Sequence, residues 1–315
     1  MISAKIIADS ITDGGSRLTT WEWTYPRSIH AEIMTYRVIS RNLASSRAIP
    51  AKKLRERVLA SPFVPLEWGA NRPGMQATEQ VDAATIDLAK CAWLDLGSQA
   101  CRVHEYLEGL GIHKQVVNRV IEPWMYAVGV ITMTDHANLF HQRRHKDAEP
   151  HFQKLANLAW EQYHEHMPEY VPPGGWHLPF IRPEDGAEAL GLAEEMAPVT
   201  ALDRELGPRV LLKVATARCA RVSYLTHDGR RDLREDVALH DRLAGTADAG
   251  APMHGSPFEH CAMAVGGRKR IKNFEGWQQY RCWFEHEGGP DTSDRCERCG
   301  CWSGRHVSSC PEGGV

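Results

Sequence analysis

Residues 35–50, TYRVISRNLASSRAIP, gather three arginines, three serines and an asparagine. Guanidinium forks match the oxygen geometry of phosphate, and hydroxyls add further donors. On a helix, Arg37 and Arg41 stand at i and i+4 on one face. Ser45, Ser46 and Arg47 then reach the loop before Pro50. Such a cluster suits an anionic ligand. The plain alternative is a solvated basic face with a serine-rich end.

Three other stretches carry comparable chemistry. In MHGSPFEH, residues 253–260, His254 and His260 flank a turn with Gly255, Ser256 and Pro257, and Glu259 lies inside. Its imidazole and hydroxyl groups suit a cofactor. A simple turn into the strand CAMAV, with Glu259 in an ion pair, is the alternative. It is not the His-Glu-x-x-His pattern of zinc proteases. In NLFHQRRHKDAEPHF, Asn138 and Arg143 lie five residues apart, about one and a half helical turns. In ARCARVSYLTHDGR, Arg221, Ser223 and Tyr224 fall where a helix runs into a turn. None of these is a Walker loop, a dinucleotide glycine fingerprint or a nucleophile elbow.

The elements that must position these residues follow from periodicity. Residues 4–8 and 18–25 alternate as paired strands around an Asp-Gly-Gly turn. After Pro26, the apolar spacing of Ile29, Ile33, Tyr36, Ile39 and Leu43 predicts a helix through the opening stretch. Short and long helices are predicted over AKKLRERVLASP and residues 78–110, the latter with one apolar side. Another helix starts near HKQVVNRVIEPWMYAVGVIT, broken at Pro123. Asp135 can cap the next helix, and an amphipathic helix follows Pro150. VPPGGWHLPF reads as loop. Helices follow over 187–196, LKVATARCARV and DLREDVALHDRLAG, and NFEGWQQYRCWFEHEGG reads as a last helix. The class is α+β, helix-rich with a small antiparallel sheet.

Bulk properties exclude some classes. The 315 residues are 43% hydrophobic and 24% charged, an ordinary globular balance. The net charge of −3 gives no global attraction to nucleic acid. No apolar run approaches the ~20 residues of a membrane helix, and MISAKIIADSITDGG reads as strand and turn rather than signal peptide. A soluble cytoplasmic protein is the expectation. Cys91, Cys101, Cys219, Cys261 and Cys282 are scattered, as reduced thiols are.

Together, the four stretches resemble the flavin-dependent thymidylate synthase (ThyX) family. Its signature is Arg-His-Arg-x-x-Ser-x-Asn-Glu-x-Ser-x-Arg-Tyr, matched here at Arg37, Ser40, Asn42, Ser45 and Arg47. Thr35, Tyr36, Leu43 and Ala48 depart from it. HGSPFEH is similar to the family's His-x-Ser/Thr-Pro-Phe-Glu-His, ARCARVSY to its Ala-Arg-Val-Ser block, and NRVIEP to an Arg-x-x-x-Pro helix start. The blocks stand in an unusual order, so the chain resembles a circularly permuted, phage-type member whose location would be the host cytoplasm. Permutation is tolerated where termini meet at the surface.

The resemblance implies reductive methylation of dUMP to dTMP. Methylenetetrahydrofolate would give the carbon, NADPH the electrons, and FAD would carry the hydride. It implies that Ser45, Ser46, Arg47, Arg119 and Glu32 bind the nucleotide. Arg143 would stand by the uracil and favour its ionised form. Arg37, Asn138, Ser223, His254, Ser256 and Glu259 would bind FAD or lie beside it. It implies a homotetramer whose sites draw on several subunits. Thr35 and Leu43 remove a guanidinium and a carboxylate, and Arg281 is the residue offered to replace the lost cation. A related flavin- and folate-dependent enzyme that hydroxymethylates a pyrimidine nucleotide, and a non-catalytic nucleotide-binding protein, are the alternatives.

The catalytic domain is expected over 1–285 and a cysteine-rich tail over 286–315. In the tail, Cys296, Cys299, His306 and Cys310 have a spacing that can ligate zinc, close to a zinc knuckle. A metal-free, redox-labile tail is the alternative.

Overall fold

The computed structural model describes residues 1–77, 79–196, 206–223, 231–245 and 253–284. The zinc expectation for Cys296, Cys299, His306 and Cys310 lies outside the described residues, as does Tyr224.

The chain opens with the predicted hairpin, β1 (Ser3–Ile11) and β2 (Arg17–Pro26), in antiparallel register from Ser3 opposite Thr24 to Ile11 opposite Arg17. Its turn places Gly15 at a φ of 74°, where a side chain would be strained. A short helix, α1 (His30–Met34), follows. The opening stretch is then not helix: the chain turns and enters β3 (Ser40–Leu43). Helices α2 (Ala51–Ala60), α3 (Ala83–Gly109) and α4 (Lys114–Val117) come next. A 3-10 segment, Asn118–Trp124, leads into β4 (Tyr126–Met133). The apolar run after Pro123 is thus a strand and not the second half of a helix. Its Val-Gly-Val-Ile core has the β-branched content that favours strand.

Helices α5 (His136–Arg143) and α6 (Pro150–Glu165) follow. Asp135 sits at the start of α5 without a capping bond from its side chain, whereas the Glu149 carboxylate caps α6 by accepting from Phe152 N at 2.8 Å. Short strands β5 (Glu169–Tyr170) and β6 (Trp176–His177) precede α7 (Pro183–Met196), α8 (Leu206–Val222) and α9 (Leu233–Ala244). The chain then forms β7 (Ala262–Ala264), β8 (Arg270–Ile271), β9 (Phe274–Glu275) and β10 (Trp277–Gln279). The predicted last helix is therefore strand and 3-10 turn. Gly276, at a φ of 74°, breaks any helix there.

The main sheet has the order β3-β4-β2-β1-β5. It is antiparallel except where β5 joins β1 in parallel, so the sheet is mixed and the α+β class holds. Side chains alternate between its faces. Trp21, Trp23, Tyr25, Ala127, Ile131 and Met133 face one way, into a core with Ile33, Leu139, Phe140, Phe152 and Leu155 from α1, α5 and α6. Val128 and Val130 face the other way, against Cys219 and Val222 of α8. A second sheet, β10-β7-β6, packs beside this face.

A buried polar chain crosses between the two sheets. Ser10 Oγ meets His177 Nδ1 at 2.8 Å, and His177 Nε2 meets Thr20 Oγ1 at 2.8 Å. Thr20 and Thr132 hydroxyls pair at 2.7 Å, and Thr132 meets His260 Nδ1 at 2.8 Å. Helices α7, α8 and α9 share a buried ion cluster. Arg218 forks onto Asp185 at 2.6 and 2.9 Å and reaches Asp236 at 3.0 Å, while Arg221 Nε donates to Asp236 at 2.7 Å.

The long helix α3 forms as predicted, but its apolar residues do not all face inward. Its buried positions are Gly97, Cys101 and His104. Gly97 lets the helix approach Trp124, whose ring would stand 2.9 Å from a Cβ there.

Candidate active site

At the free edge of β3, a cavity of about 490 Å³ is lined by residues from distant parts of the chain. Arg41, Asn42, Leu43, Ser45, Arg47 and Ala48 come from β3 and the turn after it. His113 and Gln115 come from the start of α4, Ser223 from the end of α8, and His254 and Ser256 from the HGSPFEH loop. The lining holds two arginines, two histidines, three serines and two carboxamides, and no carboxylate. That donor set suits an anionic ligand.

Strand alternation explains the wall. Ser40 and Asn42 pair with Thr132 and Val130, so they point to the α8 face. Arg41 and Leu43 oppose Ile131 and Gly129. A Cβ on Gly129 would fall 2.1 Å from Leu43 Cδ2, so the glycine makes room for that side chain. Asn42 is buried. It donates to Cys219 O at 2.8 Å and accepts from Ser256 Oγ at 3.2 Å. Beyond β3, Ser45 closes a turn: its carbonyl accepts from Ala48 N at 2.9 Å and its hydroxyl accepts from Arg47 N at 3.3 Å. The Ser45 and Arg47 side chains are exposed at the cavity mouth, and Arg47 has no side-chain partner among the described residues. Ser223 is 6% exposed, and its hydroxyl has no partner among the described residues.

Other sequence-predicted residues lie elsewhere. Ser46 turns away from the cavity and donates to Glu122 Oε1 at 2.6 Å, which also accepts from Arg119 at 2.8 Å. Glu259 pairs with Arg281 behind the loop. The Arg281 guanidinium carbon would lie 2.7 Å from a Cβ on Gly255, between the cavity residues His254 and Ser256. Arg37 is exposed in the turn before β3.

Arg143, Glu32 and Asn138 form a second group on the opposite face of the sheet. Arg143 Nε donates to Tyr36 Oη at 3.0 Å, and its Nη1 is 3.7 Å from Glu32. Its guanidinium lies 4.8 Å from the Phe152 ring centre. Tyr36 donates to Gln142, whose amide donates to Asn138 at 3.0 Å. Burial raises the Glu32 carboxyl above its ordinary range; Glu149 adds to this, and Arg143 opposes it. Arg144 faces α6 instead, donating to Asn157 at 2.8 Å and stacking 3.9 Å over Trp160. Of the two neighbouring arginines, Arg143 is thus the one whose guanidinium lies with Glu32 and the Tyr36–Gln142–Asn138 chain.

Sequence reasoning missed His113 and Gln115. Both lie outside every matched motif, on a four-residue helix whose side-chain cap is His113 itself. Their only signal was proximity in sequence to NRVIEP. Among the described residues, no group of three histidines, cysteines or acids is placed to hold a metal ion.

No protein-family model and no curated protein matches the chain. Among solved structures it is similar to the UMP/dUMP methylase PolB from Streptomyces cacaoi bound with 5-Br UMP, at 15% identity and a TM-score of 0.44, covering 52% of this chain and 89% of that one. The same protein bound with 5-Br dUMP gives 14% identity and 0.42, covering 52% and 91%. No helix among the described residues is long and apolar enough to cross a membrane.

Proposed function

We propose that the chain is a flavin-dependent enzyme that modifies a uracil nucleotide, acting as a thymidylate synthase that methylates dUMP. One observation carries the reading. Ser45 and Arg47, Ser223, and His254 with Ser256, which the family resemblance picks from three separated motifs, all line one carboxylate-free cavity. The volume falls in the range of about 300–1,000 Å³ usual for small-molecule sites. It suits one nucleotide or half of a dinucleotide.

On this reading Arg47 and Ser45 hold phosphate oxygens at the mouth, where the guanidinium has no side-chain partner among the described residues. On the facing wall, the buried Ser223 hydroxyl, the half-buried Ser256 and the exposed His254 give the donors that a flavin's polar edge needs. The Ser223 hydroxyl, without a partner among the described residues, is the feature that fits a bound group best, because buried hydroxyls otherwise find partners. A bound FAD would supply hydride transfer there, with NADPH as reductant and methylenetetrahydrofolate as carbon donor. Arg143 would favour the ionised uracil by fixed positive charge. Its group stands across the sheet from this cavity, so it would serve a site completed by another copy, as in a homotetramer.

Leu43 lines the cavity where the family has glutamate. That favours, as a second reading, the same cofactors with a different product such as a hydroxymethylated nucleotide. The test is direct. The purified chain should bind FAD with a flavin absorbance spectrum, and should convert dUMP when given methylenetetrahydrofolate and NADPH. The mass of the product separates the two readings. A chain that stays colourless after reconstitution with FAD sinks both.

A further inference from the structure

The turn that carries Ser45 and Arg47 is held from behind by Asn118 and Lys114, residues to which the family resemblance gives no role. Asn118, the first residue of the 3-10 segment, is fully buried and does not line the cavity. Its Nδ2 donates to Ser46 O at 2.6 Å and to Ile49 O at 3.0 Å. Lys114 Nζ, from α4, donates to Ala48 O at 2.9 Å. A bonded carbonyl fixes its whole peptide plane, because the peptide unit is rigid. Asn118 thereby sets the plane between Ser46 and Arg47. The next plane, between Arg47 and Ala48, is set by the Ala48 N–H, which donates to Ser45 O at 2.9 Å. With both flanking planes fixed, the Arg47 side chain leaves the backbone in one direction.

A carboxamide can hold two carbonyls only one way round. Turned over, Asn118 would set its oxygen against two other oxygens. His104 of α3 decides the orientation. It is fully buried, and its Nε2 lies 2.9 Å from Asn118 Oδ1. Both Asn118 Nδ2 hydrogens go to carbonyls, so Oδ1 accepts and His104 Nε2 carries the hydrogen. His104 Nδ1 then accepts from Arg55 Nη1 at 3.1 Å, since a guanidinium only donates. Arg55 is itself paired with Glu108 at 2.5 Å. One proton arrangement satisfies the whole row from Arg55 through His104 and Asn118 to the turn. A fully satisfied buried network of this kind specifies a single geometry.

We infer that Asn118, oriented by His104, is the positioning residue of the anion-binding turn: it touches no ligand and aims Arg47 and Ser45 at the phosphate. This rests on the reading that those two side chains hold the phosphate of a nucleotide. Loss of Asn118 is then felt by phosphate-bearing ligands, through Arg47, and not by the rest of the nucleoside.

Calorimetric titration of the full chain with dUMP and with deoxyuridine tests it. Asn118→Ala removes both donors without adding charge or bulk. It should weaken dUMP about tenfold and leave deoxyuridine unchanged. In the Arg47→Ala protein the same substitution should cost dUMP little, because its effect runs through Arg47, and a double-mutant cycle reads that coupling. His104→Leu leaves Asn118 in place but free to turn over, and should also weaken dUMP. His104→Gln, whose amide still donates to Asn118 Oδ1, should restore the affinity. The two His104 variants decide the matter where Asn118→Ala does not fold. If Arg47→Ala weakens dUMP while Asn118→Ala and His104→Leu do not, the inference is overturned and the phosphate reading stands. Losses from Asn118→Ala that are equal for dUMP and deoxyuridine, or that persist in full without Arg47, overturn it too and make Asn118 a support of the fold alone. If Arg47→Ala leaves dUMP affinity unchanged, the reading falls and the inference with it.

Discussion

Ser256 donates its hydroxyl hydrogen to the side-chain oxygen of Asn42 at 3.2 Å, joining the HGSPFEH loop to the edge strand β3 across most of the chain's length. Asn42 in turn donates to the Cys219 carbonyl at 2.8 Å, which ties in α8. One carboxamide thus fixes three walls of the cavity. Asn42→Asp keeps the shape but cannot donate to Cys219, and it adds a carboxylate to a lining that has none. It should lower stability by about 1–3 kcal/mol through the unsatisfied buried carbonyl. It should also weaken phosphate-bearing ligands at least tenfold. Thermal melting and calorimetric titration with dUMP read the two effects separately, and unchanged dUMP affinity would remove Asn42 from the cavity wall.

Arg47 is the exposed guanidinium at the mouth. If it holds phosphate, Arg47→Ala should cost about 1.5–3 kcal/mol of nucleotide affinity, the worth of a charge-assisted hydrogen bond. Deoxyuridine, which lacks the phosphate, should bind both proteins alike. Equal losses for nucleoside and nucleotide would show that Arg47 acts on shape and not on charge.

Ser45, Arg47, Ser223, His254 and Ser256, which line the cavity, could be picked out because hydroxyls, guanidiniums and imidazoles keep their chemistry whatever the local backbone, whereas Ser46, Glu259 and Arg143, picked on the same grounds, lie off it. The elements carrying them were less legible. Ile29, Ile33, Tyr36, Ile39 and Leu43 fit a helical period, yet the chain straightens at Ser40. There the edge of β4 offers unpaired backbone groups, and Gly129 leaves space for Leu43. Tertiary pairing outweighed local periodicity. The same holds for β4 itself, whose apolar run is buried on both faces and so shows no alternation. The hairpin was plain because one turn and one period specify it. His113 and Gln115 were not legible, since only the folded contact between α4 and the Ser45 turn brings them to the cavity.

Three histidines are buried without charge. Burial holds His136, His177 and His260 each at about 3. In the unfolded chain they titrate near about 6.5. The unfolded state therefore binds protons that the folded state refuses. Their contribution to stability is complete above about pH 6.5 and is lost as pH falls towards 3, by up to about 1.4 kcal/mol per pH unit per histidine. Urea midpoints should be flat from pH 7 to 8 and fall steeply from 6.5 to 5. His177→Gln should shallow that slope by about one proton. A midpoint that does not change between pH 7 and pH 5 would contradict the buried neutral chain.

Arg218 joins α7, α8 and α9 through Asp185 and Asp236, all three nearly fully buried. Burial alone would raise the Asp185 carboxyl, but the hydrogen bonds and charge of Arg218 outweigh it and hold it below the usual range. Arg218→Met keeps bulk but removes the cation that the two carboxylates share, leaving Asp236 to Arg221 at 2.7 Å and Asp185 to Arg231 at 3.3 Å. Breaking a buried pair outright costs about 3–5 kcal/mol, and the remaining arginines hold the loss at or below that range. The melting temperature should drop at pH 7 and partly recover in acid, where the less well paired carboxylates take up protons. Equal losses at pH 7 and pH 5 would point to packing instead.

Arg143 and Arg144 are neighbours with different surroundings, and variants of each separate catalysis from support. Arg144 is bonded to Asn157 and stacked on Trp160, so Arg144→Ala should cost about 1–2 kcal/mol of stability through lost cation–π and side-chain contact. Its effect on turnover should be small. Arg143 holds the Tyr36 hydroxyl and sits near the raised Glu32 carboxyl at a half-exposed surface. Arg143→Ala should leave the fold nearly intact and lower kcat by about 10²-fold or more, as loss of a preorganised charge does. Arg143→Lys should recover part of it, because a point charge remains but the fork to Tyr36 and Glu32 does not. If Arg143→Ala turned over dUMP at the wild-type rate while Arg144→Ala did not, the role proposed for Arg143 would pass to Arg144.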